Sequence, residues 1–451
     1  MGVVVDDADA DLGQDAGKRD DPVVWGIHLQ PNGGIFVDRQ SLYYVRMSGL
    51  ALELALQMAR AGSVAAVARL RSHLDNEPVE TARRHIERLL GAHPVTESWL
   101  AGELRGGVKV SGSTAAYLPL NASLQLTNRC NLRCSFCYAG SGDPMPAELC
   151  AGEWTAVLER LAEAGTAAVT LTGGEPTIAP EFPRILAVAS TLIDNVDIFT
   201  NGLAWSDKLV EYVASCGNVR AQVSIDGRAE HHDLLRGRAG SYRRALSTIE
   251  RLSSAGVPVF VAMTVSPANH GDVESVIEDV AAAGALVFRA GATVPVGRGT
   301  DAGFVLTEDQ VNAVVKQFAR VAERDLGIEV VGWDRCADPD QEFAGAGLPV
   351  EFLTPGYLSW YVRADGKVTP CQVEETAFGD VRDEPFGRIG DPARLAVIRA
   401  EATDCACVRN LRIDEEADVP FGLSARWPAA GTSCCAGSSA GSCAGREGGC
   451  G

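Results

Sequence analysis

The stretch Leu126-Thr-Asn-Arg-Cys130-Asn-Leu-Arg-Cys134-Ser-Phe-Cys137-Tyr138 places three cysteines in a C-x3-C-x2-C array. A structural zinc site takes four protein ligands, and an ordinary cubane iron–sulfur cluster takes four cysteines. Three thiolates instead hold three irons of a cubane and leave the fourth iron open to a substrate or cosubstrate. The alternatives are a redox pair with a spare thiol, or half of a zinc knuckle.

Composition narrows the class of protein. The chain has 451 residues, of which 46% are hydrophobic, and a net charge of −19. This acidity speaks against a nucleic-acid partner, because phosphate binding needs a basic surface. No apolar run approaches the roughly 20 residues of a membrane span, and the N-terminus lacks the pattern of a secretion signal, which predicts a cytoplasmic protein without a membrane partner. Thirteen cysteines in such a chain indicate metal ligands rather than disulfides.

The pattern of residues 1–120 predicts a small domain between two irregular segments. Residues 1–21 are acidic and are predicted to be disordered. Residues 22–93 predict three strands followed by three helices, which is a winged-helix-like α+β domain. Its third strand, residues 42–47, is expected to be an exposed edge strand beside the helix that Pro78 opens. Residues 94–120 contain glycine, serine and proline and predict a linker.

Residues 121–300 alternate strand and helix six times, with glycines at helix ends. This pattern predicts an α/β fold, an open and partial (β/α)6 TIM-type barrel. The unusual residues all follow strands: the three cysteines, Gly173-Gly174-Glu175-Pro176, Thr200-Asn-Gly202, and the pair Ser224 and Asp226. Since β/α barrels place their chemistry at the C-terminal ends of the strands, these residues are expected to share one site.

The cysteine array resembles that of the radical S-adenosylmethionine (SAM) enzymes, in which the open iron of a 4Fe-4S cluster binds SAM. The resemblance implies that Cys130, Cys134 and Cys137 hold this cluster. Gly173 to Pro176 resembles the family's GGEP motif, which implies that Glu175 accepts a hydrogen bond from the ammonium group of SAM. It further implies contacts with SAM for Phe136 (adenine), for Ser224 and Asp226 (ribose and carboxylate), and for Arg236 (carboxylate, or else the substrate). A solvated loop is the alternative for Arg236.

After the barrel, residues 301–335 predict a bridging helix and strand, and residues 336–451 form a cysteine-rich region. The predicted hairpin that ends in Gly366-x4-Cys371 resembles the SPASM domain of peptide-modifying radical SAM enzymes, which implies one or two auxiliary iron–sulfur clusters. The implied ligands are Cys336, Cys371, Cys405, Cys407, Cys434, Cys435, Cys443 and Cys450. The usual C-x2-C pair is replaced by Cys405-Ala-Cys407, so the assignment of ligands to clusters stays open. The Gly/Ala/Ser-rich tail alternatively predicts a flexible segment with free thiols.

Residues 22–93 resemble the PqqD-like leader-peptide-recognition domain, in which a leader peptide adds a strand to the sheet edge. Together the resemblances imply a maturase that generates a 5′-deoxyadenosyl radical, abstracts hydrogen from a ribosomally synthesised precursor peptide, and forms a thioether or carbon–carbon cross-link. The implied partners are the precursor, bound through its leader, and an external electron donor of the ferredoxin or flavodoxin type. The alternatives are an anaerobic sulfatase-maturating enzyme that forms formylglycine, and a non-catalytic iron–sulfur scaffold that carries peptides.

Overall fold

The computed structural model describes residues 25–39, 44–91, 96, 99–100, 107–334, 356–401 and 424–425. The predicted disordered segment, residues 1–21, lies outside the described residues, as does most of the cysteine-rich tail. The described part contains two sheets, one of five strands and one of ten.

The first sheet belongs to the N-terminal domain. Three antiparallel strands precede three helices: β1 (Trp25–Gln30), β2 (Gly33–Asp38), β3 (Tyr44–Met47), α1 (Gly49–Ala61), α2 (Val64–Asp75) and α3 (Val79–Leu90). The Ser63 hydroxyl accepts a hydrogen bond from the backbone N–H of Ala66, which caps α2 at its start. Apolar side chains of both layers, among them Phe36, Leu54 and Ile86, meet in one buried core. The predicted order of three strands and three helices is therefore confirmed.

Two further strands complete this sheet. They correct the predicted linker at residues 94–120 and the predicted exposed edge at residues 42–47. β4 (Val108–Gly112) lies within the range expected to be a linker, and it pairs in parallel with β1. β15 (Ser424–Ala425) pairs antiparallel with β3. The expectation that β3 is an exposed edge strand is wrong, because Tyr44 and Val45 are buried and a segment from the far end of the chain covers the edge. A local sequence pattern cannot reveal a partner so distant in sequence.

The second sheet contains the predicted partial barrel. Its six parallel strands are β5 (Asn121–Gln125), β6 (Ala168–Thr172), β7 (Asn195–Thr200), β8 (Val219–Ser224), β9 (Val259–Val265) and β10 (Val287–Ala292). The intervening helices are α4 (Ala151–Ala164), α5 (Phe182–Leu192), α6 (Asp207–Cys216), α7 (Ala229–Arg236), α8 (Ser241–Ser254) and α9 (Val273–Ala282). The strands are neighbours in chain order, as right-handed β/α units require, so the predicted α/β architecture is confirmed.

Additional strands extend both ends of this sheet. After α10 (Glu308–Ala322), β11 (Glu329–Asp334) pairs in parallel with β10. At the other end β12 (Ser359–Val362) pairs in parallel with β5, and it forms a hairpin with β13 (Lys367–Thr369), which is followed by β14 (Gly379–Asp380). The predicted hairpin before Cys371 is thus present, and the region after the barrel continues the barrel's own sheet. Two helices, α11 (Phe386–Ile389) and α12 (Pro392–Glu401), follow.

Of the helices in the described ranges, none is both long and apolar enough to cross a membrane.

The N-terminal domain docks on the barrel at the N-terminal ends of its strands, opposite the face predicted to carry the chemistry. Arg39, only 2% exposed, forms an ion pair of 2.5 Å with Asp194 and donates to the carbonyl oxygens of Gly165 and Thr166. Asn195 donates to the Arg39 carbonyl at 2.7 Å. A small apolar cluster continues this contact, formed by Ile35, Val37, Tyr44, Leu120, Ala167, Ala168 and Leu358.

His28 lies fully buried in the same contact. Its Nε2 donates to the carbonyl oxygen of Leu118 at 2.9 Å, so its Nδ1 accepts from the Ser111 hydroxyl at 3.2 Å. Burial lowers the pKa of His28 to about 4, and the charge of Arg39 adds to this effect. The imidazole is therefore neutral at pH 7, and the domain contact requires that form.

The contact predicts a dependence of stability on pH. The unfolded His28 binds a proton near pH 6.5 and the folded one only near pH 4, so the free energy of unfolding falls as the pH drops through this window. Between pH 7 and pH 5 the loss from His28 is about 2 kcal/mol. His28→Gln, which keeps an amide donor for Leu118, should show a smaller loss than the unmodified chain in urea denaturation at the two pH values. Equal losses in the two proteins would contradict the assignment.

Candidate active site

Each residue group that the sequence singled out lies beyond the C-terminal end of a barrel strand. The cysteine array follows β5, Gly173 follows β6, Asn201 follows β7, and Asp226 follows β8. These strands are consecutive neighbours in the sheet, so their C-terminal ends bring the four groups together on one face.

The turn after β6 lies directly against the backbone of the cysteine array. The N–H of Gly174 donates to the carbonyl of Thr127 at 2.8 Å, and the N–H of Glu175 donates to the carbonyl of Arg129 at 2.9 Å. A Cβ atom on Gly174 would lie 2.3 Å from the Arg129 carbonyl oxygen, and one on Gly173 would lie 2.5 Å from that of Thr127. The two glycines are thus required for this approach, whatever else the turn contacts.

The three cysteines of the array are free thiols in a largely buried setting. Burial raises the pKa of the Cys130 thiol to about 11, and negative charge on Glu175, Cys134 and Cys137 would raise it further. Burial also raises the pKa of Cys134, while Arg236 and Arg298 act in the opposite direction. Across the described ranges, no three His, Cys, Asp or Glu side chains are placed to hold one metal ion.

Glu175 joins two neighbouring turns of the site. Its side chain is fully buried, where burial raises its pKa and hydrogen bonds to the carboxylate oppose that rise. Thr200 and both the N–H and the hydroxyl of Thr177 donate to Oε1, and the N–H of Asn201 donates to Oε2 at 2.7 Å. The carboxylate thereby connects the turns after β6 and β7, and its contact with the ammonium group of SAM stays a prediction. Pro176, next in the motif, begins a short 3-10 turn and is also buried.

Asn201 is a site residue whose role the sequence did not indicate. Its side-chain N–H donates to Asn131 Oδ1 at 2.7 Å and lies 3.9 Å from the Cys130 sulfur. The position after β7 was noted as part of the shared face, but a turn sequence Asn-Gly is by itself common in loops. Only the fold shows that the amide points at the cysteine array.

Asp226 and Arg236 form a buried ion pair beside the array. Arg236 Nε donates to Asp226 Oδ2 at 2.5 Å, and the N–H of Thr264 donates to Asp226 Oδ1 at 2.7 Å. Burial disfavours the charged guanidinium, but the Asp226 carboxylate outweighs it and raises the pKa of Arg236. Arg236 is thus not in a solvated loop. Ser224, at the end of β8, is half-buried.

Phe136 lies between the Arg236 pair and the region after β10. The Arg236 guanidinium carbon lies 5.9 Å from the Phe136 ring centroid, and the ring of Phe304 meets Phe136 edge-on at 6.4 Å. The Phe136 ring thus lies beside the Asp226–Arg236 ion pair and against Phe304.

His232 supports Asp226 from the opposite side. Its Nδ1 accepts from the backbone N–H of Asp226 at 3.0 Å. Burial lowers the pKa of His232 to about 4, and the charge of Arg236 acts in the same direction. The imidazole is therefore neutral and holds the backbone at the end of β8.

Arg298 fixes the cysteine array from a direction that the sequence did not predict. Arg298 lies in the segment that follows β10. Its Nε donates to the Cys134 carbonyl at 2.7 Å, and its Nη1 donates to the Ser141 carbonyl at 2.9 Å. Its backbone N–H donates to the Cys137 carbonyl at 3.0 Å. A planar guanidinium suits this task because its donors diverge in fixed directions.

Cys371 lies near the array rather than apart from it. Tyr138, the residue after Cys137, donates to the Gln372 side chain at 3.3 Å, and charge on either Cys137 or Cys371 would raise the pKa of Tyr138. The other cysteines predicted to bind auxiliary clusters lie outside the described residues: Cys336, Cys405, Cys407, Cys434, Cys435, Cys443 and Cys450. Two further cysteines lie apart from the array: Cys216 is half-buried, and Cys150 is exposed.

The residues around the array fit a cluster bound by thiolates. Cys130, Cys134 and Cys137 lie near one another, and Arg236 and Arg298 offset part of the negative charge that their thiolates would carry. The backbone of the array is fixed from both sides, by the Gly173–Gly174 turn and by Arg298. Binding of iron requires deprotonated thiols, which a cation stabilises and burial alone does not.

Comparison with known proteins identifies the family. The model of the radical SAM superfamily matches residues 124–280. Sporulation killing factor maturation protein SkfB of Bacillus subtilis (strain 168) is 42% identical over 395 residues, which cover 88% of this chain and 94% of that protein. Antilisterial bacteriocin subtilosin biosynthesis protein AlbA of the same organism is 26% identical over 292 residues, covering 63% of this chain and 62% of that protein.

Solved structures share the fold at low sequence identity. The crystal structure of Streptococcus suis SuiB bound to precursor peptide SuiA matches with a TM-score of 0.60 at 14% identity, and it covers 83% of this chain and 89% of that chain. Native anSMEcpe with bound AdoMet and a peptide matches with a TM-score of 0.50 at 16% identity, covering 61% of this chain and 81% of that chain. With the family match inside the barrel and a relative similar over nearly its whole length, the chain belongs to the radical SAM superfamily.

Proposed function

We propose that this radical SAM enzyme modifies a ribosomally synthesised precursor peptide and closes a thioether or carbon–carbon cross-link in it. The observation that carries the proposal is the N-terminal sheet, in which β3 accepts an added antiparallel strand. Addition of a strand to such an edge is how extended peptides bind sheets. The extensive similarity to a protein named for the maturation of a killing factor supports the same class of substrate.

In this proposal Cys130, Cys134 and Cys137 hold a 4Fe-4S cluster whose fourth iron binds SAM. When bound, the cluster and SAM supply a 5′-deoxyadenosyl radical that takes a hydrogen atom from the peptide. The protein's part is to bind, orient and exclude water. The backbone of Gly173 and Gly174 lies beside the array. In the proposal these two residues, with Glu175 and Pro176, contact the methionine part of SAM.

The remaining site residues divide into contact and positioning roles. Phe136 is proposed to contact the adenine ring, and Ser224 the ribose. Arg236 supplies positive charge for a carboxylate, while Asp226 holds Arg236 in place through their ion pair. Glu175 and Pro176 shape the turn from inside the protein. Cys371, near Tyr138, is proposed as one ligand of an auxiliary cluster that receives or delivers an electron near the array.

The fused N-terminal domain distinguishes this proposal from the sulfatase-maturating alternative. A sulfatase maturase has no need of residues 22–93, yet here the domain docks on the barrel through a buried ion pair and an apolar cluster. A non-catalytic scaffold, in turn, has no need of the turn that fits closely against the cysteine array.

Removal of the cluster ligands tests the chemistry. Cys130→Ala, Cys134→Ala and Cys137→Ala combined should lower bound iron by about four per chain and abolish formation of 5′-deoxyadenosine from SAM and reductant. Iron should remain at the auxiliary site. The matched control combines Cys150→Ala and Cys216→Ala, two thiols away from the array, and should keep both properties. Deoxyadenosine formed by the triple variant would refute the assignment of the cluster.

The class of substrate is tested with short open reading frames next to this gene. Co-expression of each encoded peptide with the chain, followed by mass spectrometry, should reveal one peptide that loses two hydrogens for each cross-link. The triple-cysteine variant is the control and should leave the mass unchanged. Conversion of a sulfatase-derived peptide to formylglycine, with every neighbouring peptide unmodified, would favour the sulfatase-maturating alternative.

Arg298 is expected to act as a positioning residue. Arg298→Ala removes two side-chain hydrogen bonds to the cysteine array and should slow deoxyadenosine formation at least about fivefold, with faster loss of iron on desalting. Arg298→Lys keeps the charge but cannot span both carbonyls, so it should recover only part of the loss. The control Arg184→Ala removes an exposed arginine that pairs with Glu181 and should behave as the unmodified chain. Full activity and iron retention in Arg298→Ala would contradict the role.

A further inference from the structure

The strand that covers β3 comes from the chain's own C-terminal region. Ser424 pairs with Val45, and Ala425 pairs with Tyr44, in antiparallel register. On its other side β3 pairs with β2, also antiparallel. The edge that a leader peptide would need in the proposed function is thus already occupied within the same chain.

A partner strand can contact the β3 edge mainly through the backbone of β3. Tyr44 and Val45 are buried in the two apolar clusters that lie on opposite faces of the sheet, so their side chains are committed to the protein. What β3 presents beyond β2 is its row of backbone N–H and C=O groups. An unpaired row of this kind is a liability that proteins cover, and any extended segment able to form the ladder can cover it.

We propose that Ser424 and Ala425 form an intramolecular placeholder strand, which covers the β3 edge at rest and is displaced by a leader peptide. The inference rests on the proposed function for the identity of the displacing peptide, but not for the occupancy of the edge. The placeholder protects the edge from aggregation, and it raises the affinity that a foreign segment needs before it binds.

The energetics suit a contact that can be displaced. Two paired residues provide at most a few backbone hydrogen bonds, each worth about 1 kcal/mol net. A tethered pairing with a net value of about 1 kcal/mol leaves the edge open in roughly one molecule in six, so it covers the edge at rest and a longer ladder can displace it. The apparent dissociation constant of a competing peptide is then its intrinsic value divided by the fraction of open edges.

The test uses a variant that cannot form the ladder. In an antiparallel pair, only every second residue donates its N–H to the partner strand. Ser424→Pro combined with Ala425→Pro removes this donor, whichever of the two residues supplies it. The matched control exchanges the two side chains, Ser424→Ala with Ala425→Ser, and keeps both N–H groups. All cysteines remain, so cluster content is not altered by design, and thermal unfolding shows whether each variant is folded.

Two measurements report on the β3 edge and need no precursor peptide. Amide hydrogen exchange of residues 44–47 should be faster in the double-proline variant than in the unmodified chain and the side-chain exchange control. A fluorescent synthetic peptide that copies residues 419–428 should bind the double-proline variant at least about fivefold more tightly than the unmodified chain. Equal exchange rates and equal probe affinities in the three proteins would overturn the inference.

These readouts separate the inference from the proposed function. If the double-proline variant exposes the edge and binds the probe, but no peptide is ever modified, the proposed function fails and the placeholder stands. If a precursor is modified and the edge is equally protected in all variants, the placeholder fails and the proposed function stands. If both hold, the precursor's leader should compete with the probe.

Discussion

The close approach of the turn after β6 to the backbone of the cysteine array is the constraint on which the site depends. A Cβ atom at Gly174 would lie 2.3 Å from the Arg129 carbonyl, so the two backbones meet only because that position lacks a side chain. Glu175, held by Thr200 and Asn201, then ties this turn to the next strand. Arg298 fixes the array from the other side. Three thiols that would otherwise belong to a mobile loop are thereby held in one arrangement.

The sequence predicted those parts of the structure that local patterns determine. Alternation of strands and helices and glycines at helix ends are local, and the barrel and the N-terminal domain followed from them. Long-range partners were not predictable. β4 and β15 are short segments that become strands only because β1 and β3 offer edges to them. Likewise only the fold shows which protein donors contact the carboxylates of Glu175 and Asp226.

The two ends of the barrel have different tasks. The N-terminal domain docks at the N-terminal ends of the strands, whereas the cysteine array lies beyond their C-terminal ends. Under the proposed function, a leader paired to β3 has to extend past at least one strand length, about 17 Å or five extended residues, before the modified residue reaches the array. The separation lets recognition of the leader and chemistry on the core peptide act on different parts of one substrate.

The central claim is that Cys130, Cys134 and Cys137 hold a cluster with an iron open to SAM. Electron paramagnetic resonance of the anaerobically reduced protein measures this most directly, because a ligand on the open iron changes that cluster's signal and leaves other clusters unaffected. The account predicts that addition of SAM shifts one signal in the unmodified chain, and that the variant lacking all three cysteines has no signal that responds to SAM. A spectrum unchanged by SAM in the unmodified chain, or a response that persists without the three cysteines, would contradict it.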